Sequence, residues 1–242
     1  APDWRGTCAI CLDLLPLHLG SQRFYECCCR KICTACHVKC RQYDDRCPLC
    51  RTQKCGSDKE WLRRIQKHVD KGDAEAQSML GNSFSYGGMG LKKNLKRAYQ
   101  LYQLAAQQGH ARAQDALGCC YEHGEGVKSN HIKAFSWFKR AALQGNPDAQ
   151  YNLGATFYKG KGVSQNFEDA VAWWHLAAAQ GNPNALYKLG DCYTAGQGVT
   201  QDIHVSLQYF KAAHSKGYAG AKKSVEELEM WLEFNSESAK VE

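Results

Sequence analysis

One period governs most of this 242-residue chain. Glycine recurs at Gly109, Gly145, Gly181 and Gly217, and Leu-Gly recurs at Leu117-Gly118, Leu153-Gly154 and Leu189-Gly190, each at a step of 36 residues. Leu80-Gly81 stands 37 residues before the next copy, with the extra residue near Gly87-Gly88. An aromatic follows each of these glycines by three positions, at Phe84, Tyr121, Phe157 and Tyr193. A Gly-x-Gly-apolar element comes next: Gly88-Met89-Gly90-Leu91, Gly124-Glu125-Gly126-Val127, Gly160-Lys161-Gly162-Val163 and Gly196-Gln197-Gly198-Val199. A repeat of this length is one supersecondary unit that cannot bury its apolar face alone, so successive units have to stack.

Each unit reads as two helices. Asn146-Pro147 and Asn182-Pro183 announce the first, a capping Asn with Pro at the first helical position. Ala149, Leu153 and Phe157 then share one face. The Gly-x-Gly element ends that helix, because glycine tolerates the left-handed cap. The second helix carries Ala170, Trp173 and Ala177 as its apolar stripe, with Ala134, Trp137 and Ala141 as the matching set one unit earlier. A glycine inside a helix costs about 1 kcal/mol relative to alanine, so the glycine of Leu-Gly predicts close approach of neighbouring helices. The aromatic and alanine stripes are read as core. His175 and His204 are read as surface or cap residues, and Cys119 and Cys120 as packing residues rather than nucleophiles.

The pattern resembles Sel1-like repeats, relatives of the tetratricopeptide repeat. That resemblance covers residues 72–216 and implies four helix pairs (72–108, 109–144, 145–180 and 181–216) stacked into a right-handed superhelix. Residues 56–71 form a linker and a leading cap helix from Glu60 to Lys71, and residues 217–242 a closing cap with Val225, Leu228 and Trp231, ending in a frayed tail.

The first 55 residues follow different physics. Eleven of the fourteen cysteines lie between Cys8 and Cys55. A segment below roughly 70–80 residues rarely buries enough apolar surface to fold unaided, and needs disulfides or a metal. The thiols fall in C-x-x-C pairs at Cys8/Cys11, Cys33/Cys36 and Cys47/Cys50, and their number is odd. Both features favour tetrahedral zinc over a disulfide framework. The triplet Cys27, Cys28 and Cys29 supplies the remaining half-site, and folding and metal binding would be one event.

This spacing, ending in Cys47-Pro48-Leu49-Cys50-Arg51, resembles a RING finger. The resemblance implies two structural zinc ions in a cross-brace, the first on Cys8, Cys11, Cys33 and Cys36, the second on Cys27, Cys29, Cys47 and Cys50. Arg30 stands where the family has a histidine ligand, so Cys28 remains an alternative to Cys27 or Cys29. A rival register uses His37 and Cys40. The fold class expected is therefore mostly α: a small zinc-stabilised RING-like domain followed by an α-solenoid with helical caps.

A RING-like finger before Sel1-like repeats resembles a group of algal proteins with the same order. The resemblance implies a ubiquitin ligase of the non-covalent kind, which docks a ubiquitin-conjugating enzyme carrying ubiquitin and recruits a protein substrate or adaptor on the solenoid. Ile10, Pro48 and Leu49 would contact the conjugating enzyme, and Arg51 would bridge it to ubiquitin. The usual tryptophan of the central helix is missing, and Tyr43 would stand in for it. The alternative is a zinc-finger and solenoid scaffold without transferase activity. A covalent ligase would need an activated spare thiol such as Cys40.

Charge narrows the partners. Nine Lys/Arg against five Asp/Glu give residues 1–55 a formal +4, which two zinc ions on eight thiolates would cancel. The overall +7 is thus not a nucleic-acid signal, and a reader of nucleic acid or histone tails ranks last. No run of about 18 apolar residues exists, so no membrane-spanning helix is expected. Reduced zinc thiolates imply cytoplasm or nucleus.

Overall fold

The computed structural model describes residues 57–238 and, as backbone, residues 22–25 and 30–33. The two short stretches are strands. β1 (Gln22–Tyr25) pairs antiparallel with β2 (Arg30–Cys33), Gln22 opposite Cys33 and Tyr25 opposite Arg30. The rest is helical, and the chain divides into two compact units between Gln144 and Gly145.

In the first unit, α1 (Asp58–Asp70) packs on α2 (Ala74–Tyr86), which pairs with α3 (Leu95–Gln107); α4 (Ala111–His123) follows and pairs with α5 (His131–Leu143). In the second, α6 (Pro147–Lys159) pairs with α7 (Phe167–Ala179), α8 (Pro183–Ala195) pairs with α9 (Ile203–Ser215), and α10 (Ala221–Ser238) covers α9. The leading helix thus begins two residues before the expected Glu60. The closing helix runs to Ser238, so residues 235–238 are helical rather than a frayed tail.

The caps explain the boundaries. Each first helix of a pair starts at a side-chain acceptor: Asp73, His110, Asn146 and Asn182 accept from the backbone N–H three residues on. Each second helix does the same with Asn94, Asn130, Asn166 and Asp202. The backbone N–H of these four also donates to the carbonyls of Phe84, Tyr121, Phe157 and Tyr193, which closes the intervening loop. Left-handed glycines at Gly87, Gly124, Gly160 and Gly196 end the first helices. In the first pair the cap is therefore Gly87 and not Gly88; the extra residue there is absorbed by Met89 at φ 54°.

The central packing element is a glycine facing an aromatic ring. A Cβ on Gly154 would lie 2.6 Å from the Trp174 ring, one on Gly118 2.6 Å from Phe138, one on Gly190 2.6 Å from Phe210 and one on Gly81 2.7 Å from Tyr102. The close approach expected of the Leu-Gly glycine is therefore made within each pair. Its partner corrects the stripe of the second helix. Trp174 and Phe138 are the buried residues, at 1% and 0% exposure, whereas Trp173 and Trp137 are half-buried. The core-facing set is Ala170, Trp174 and Ala177, spaced by four and then three. The mid-helix glycine costs about 1 kcal/mol. The ring it admits removes roughly 150–250 Å² from water, worth several times that amount.

Polar side chains stitch the pairs. Gln108 donates to the buried Gln77 at 2.9 Å, Gln144 to Gln114 at 2.6 Å and Gln180 to Gln150 at 2.7 Å. In the last pair the equivalent positions are Leu186 and Lys216, and Leu186 packs instead against Ala213 and Ala221. His110 serves two roles. Its Nδ1 accepts from the Ala113 N–H at 3.2 Å, which leaves Nε2–H to donate to Glu75 at 3.1 Å. Asn182 makes the same two bonds in the second unit, to the Ala185 N–H and to Asp148.

α10 occupies the place of a fifth first helix, since the buried Ala221 continues Ala149 and Ala185 at the same step. Glu226 then stands where Gly154 and Gly190 admit a ring, so this helix cannot seat a partner of the same kind. No glycine follows at the cap position, and the helix extends to 18 residues where the other nine helices among the described residues have 13.

Gly154→Ala should destabilise the protein by about 1–3 kcal/mol, despite alanine's better helix propensity, because the methyl overpacks against Trp174. An unmoved urea midpoint would remove the close-packing account. His110→Asn should leave the melting temperature nearly unchanged, while His110→Ala should lower stability by about 1 kcal/mol through loss of the cap.

Candidate functional site

The expected zinc ligands Cys8, Cys11, Cys27, Cys29, Cys36, Cys47 and Cys50 lie outside the described residues, as do the alternatives Cys28, His37 and Cys40. So do the expected conjugating-enzyme contacts Ile10, Pro48, Leu49 and Arg51, together with Tyr43. The ligand Cys33 is placed by its backbone alone, as the last residue of β2. The cysteine triplet falls in sequence between the two paired strands. Among the described residues no group of three or more His, Cys, Asp or Glu side chains could hold a metal ion.

The helical region offers surfaces. On α4, Asp115, Cys119 and Glu122 share a face one turn apart, all half-buried. Burial and the nearby Asp115 and Glu122 carboxylates push the Cys119 thiol up. Burial likewise pushes Cys120 up to about 12 and Cys192 to about 11. A thiol held this far above neutrality is a packing group and a poor nucleophile. The expectation for Cys119 and Cys120 therefore holds.

The second unit carries an aromatic cluster. Tyr193 and Tyr209 stack with centroids 5.5 Å apart, and His175 meets both edge-on. The Tyr209 hydroxyl lies 3.3 Å from His175 Nδ1. His175 is thus a half-buried packing residue rather than the surface or cap residue expected from the sequence, and desolvation lowers its pKa below the usual imidazole value. His204 is exposed, as expected. Nearby, Tyr187 stacks on Tyr218 at 4.4 Å and its hydroxyl lies 3.2 Å from that of Ser224, which ties α8 to α10.

Large apolar side chains stand in solvent on both units. Ile132 and Leu143 of α5 are 69% and 67% exposed, and Met230, Trp231 and Phe234 of α10 are 62%, 50% and 72% exposed. The closing helix was expected to use Val225, Leu228 and Trp231 in its cap; Val225 and Leu228 are half-buried, whereas Trp231 is exposed. Exposed apolar groups of this size on stacked helices suit a second polypeptide better than a small reactant. No helix among the described residues is long and apolar enough to cross a membrane.

Two features went unread in the sequence although its period contains them. Asn94, Asn130, Asn166 and Asp202 recur at the same 36-residue step as the glycines and mark every second helix. The glutamine pairs recur at that step as well, apart from the 37 residues between Gln77 and Gln114, but nothing in a lone Gln signals that it is buried.

Comparison with known proteins agrees with this architecture. The family model described as Sel1 repeat matches four times, over residues 74–110, 111–146, 147–182 and 183–218. Among solved structures, a protective antigen present in uropathogenic Escherichia coli strains and displaying an SLR fold is 35% identical with a TM-score of 0.62; the match covers 66% of this chain and 34% of that one. A Sel1 repeat protein from Oxalobacter formigenes is 29% identical with a TM-score of 0.68, over 72% of this chain and 69% of that one. The chain therefore spans about a third of the length of the Escherichia coli antigen. No curated protein matches.

At about pH 8, where an ordinary cysteine reacts readily, peptide mapping after brief alkylation should find Cys119, Cys120 and Cys192 unmodified in the folded protein and fully modified in urea.

Proposed function

The chain belongs to the Sel1 repeat family, and from that premise we propose that it is a protein-interaction scaffold whose helix pairs hold a polypeptide partner. The observation that carries the reading is the four-fold match over residues 74–218. Each matched helix pair has its first helix pinned to its second by a glycine facing an aromatic ring. Stacked pairs of this kind present extended surface rather than an enclosed cleft, and that geometry suits polypeptide ligands. Raised thiol pKa values and a half-buried, tyrosine-bonded His175 leave these groups as packing elements, which fits a binding role for the helical region. Cross-linking of the full chain in cell extract, followed by mass spectrometry, should place most protein–protein cross-links on residues 74–218. Cross-links confined to the first 55 residues would overturn the scaffold reading.

A finer reading adds a ligase function at the amino end. Four half-sites of paired cysteines at RING-like spacing support it, as does the triplet's position in the sequence between β1 and β2. All-thiol donors suit zinc, and sites filled entirely by protein hold the metal structurally. On this reading Cys8, Cys11, Cys33 and Cys36 would hold one ion, and Cys27, Cys29, Cys47 and Cys50 the other. Ile10, Pro48 and Leu49 would dock the conjugating enzyme, and Arg51 would orient the ubiquitin it carries, favouring attack by a lysine of a substrate held on the helices.

Elemental analysis should return about two zinc ions per chain. Chelation should leave the far-UV helical signal of the repeat region intact, since its described residues contain no metal site. With a panel of conjugating enzymes, the chain should form lysine-linked ubiquitin products that Ile10→Ala and Arg51→Ala abolish. Absence of product across the panel removes the ligase reading and leaves the scaffold.

A further inference from the structure

The two units differ in sign. Residues 57–144 hold fourteen Lys/Arg against eight Asp/Glu, a formal +6, whereas residues 145–242 hold eight against eleven, a formal −3. The excess in the first unit is concentrated along one edge, where the second helices of its two pairs begin. Lys92, Lys93, Lys96 and Arg97 surround the start of α3, and Lys128 and Lys133 the start of α5; all six are exposed. The two starts adjoin, because Gly126 in the loop before α5 lies against the Leu95 carbonyl and the Lys96 Cα. None of the six is ion-paired to a carboxylate among the described residues.

This placement works against local stability. A helix start carries partial positive charge and favours acidic side chains. The first turns of α3 and α5 contain no acid, and they carry Lys96, Arg97 and Lys133 instead. The repeat supplies an internal control: the positions of Lys96 and Arg97 are occupied in α7 by Glu168 and Asp169, the residues the helix dipole prefers. The same fold position thus obeys the rule in α7, holds His204 and Val205 in α9, and breaks the rule in α3. The cation–π contacts of Arg97 and Lys133 offset part of this cost. The rule is still broken at Lys96, and a local rule broken with little structural gain points to a bound partner.

We propose that this edge of the first unit docks an acidic segment of a partner protein. The inference rests on the scaffold reading and names the chemistry of its partner. Carboxylates laid across the two helix starts would neutralise the cations and complement both dipoles at once. The exposed Ile132, in the first turn of α5, offers an aliphatic contact beside them. Nucleic acid fits less well. The rings nearest the edge are covered by the cations themselves, with Arg97 5.5 Å from the Phe84 centroid and Lys133 5.4 Å from that of Tyr121, so neither is open for base stacking.

The test uses the full chain and a fluorescein-labelled peptide in which Glu and Asp alternate with Leu. A Lys-for-acid peptide and a thymidine oligonucleotide of equal charge serve as comparisons. Fluorescence anisotropy should show binding of the acidic peptide that weakens as salt is raised. The Lys96→Glu/Arg97→Asp variant should bind at least about tenfold more weakly. Its melting temperature should hold or rise, because the new residues suit the helix start, so lost binding cannot be ascribed to unfolding. Glu168→Lys/Asp169→Arg should leave peptide affinity unchanged. Equal binding by the Lys96→Glu/Arg97→Asp variant, no binding by the parent chain, or preference for the oligonucleotide would each overturn the proposal. If the parent binds no acidic peptide yet retains its cross-links on residues 74–218, the docking edge falls and the scaffold stands.

Discussion

The approach of a bare helix backbone to an aromatic ring is the contact on which the helical region depends. Gly81, Gly118, Gly154 and Gly190 each leave room for one ring, from Tyr102, Phe138, Trp174 and Phe210 in turn. The ring sets the distance between the two helices of a pair, and alanines at the flanking positions let the rest of the second helix follow. At the corresponding position of α10 stands Glu226, whose side chain would occupy the space the other first helices leave for a ring.

Stacking within each unit uses a second close approach. Gly126 lies against the start of α3 and Gly198 against the start of α7, at places where any Cβ would strike the Leu95 or Phe167 carbonyl. The Asx caps hold those helix starts, and their backbone amides tie each loop back to the helix before it. The buried glutamines pair with one another, so the polar groups that enter the core are bonded there. Together these constraints leave outward positions free to vary. That freedom lets one unit carry basic residues at a position where the other carries acids.

The function proposed for the helices follows from that division. Core positions repeat because every pair solves the same packing problem, whereas surface positions are free of that constraint. The half-buried Cys119 and His175 are absorbed by the packing. Ile132, Trp231 and Phe234 remain largely exposed.

The sequence by itself determined the repeat, its length, its helix pairs, the capping asparagines before Pro147 and Pro183, and the close approach at the Leu-Gly glycine, because these are local or strictly periodic properties. It also carried the cysteine spacing from which the zinc-finger reading comes. Which of two adjacent large residues entered the core, Trp173 or Trp174, was not legible, since both lie within one helical step of the apolar face and the choice depends on where Gly154 leaves space. Nor could local pattern show that His175 meets Tyr209 or that Trp231 is exposed. Those are contacts between residues far apart in the chain or on the rim of a helix, and only the packed neighbours decide them.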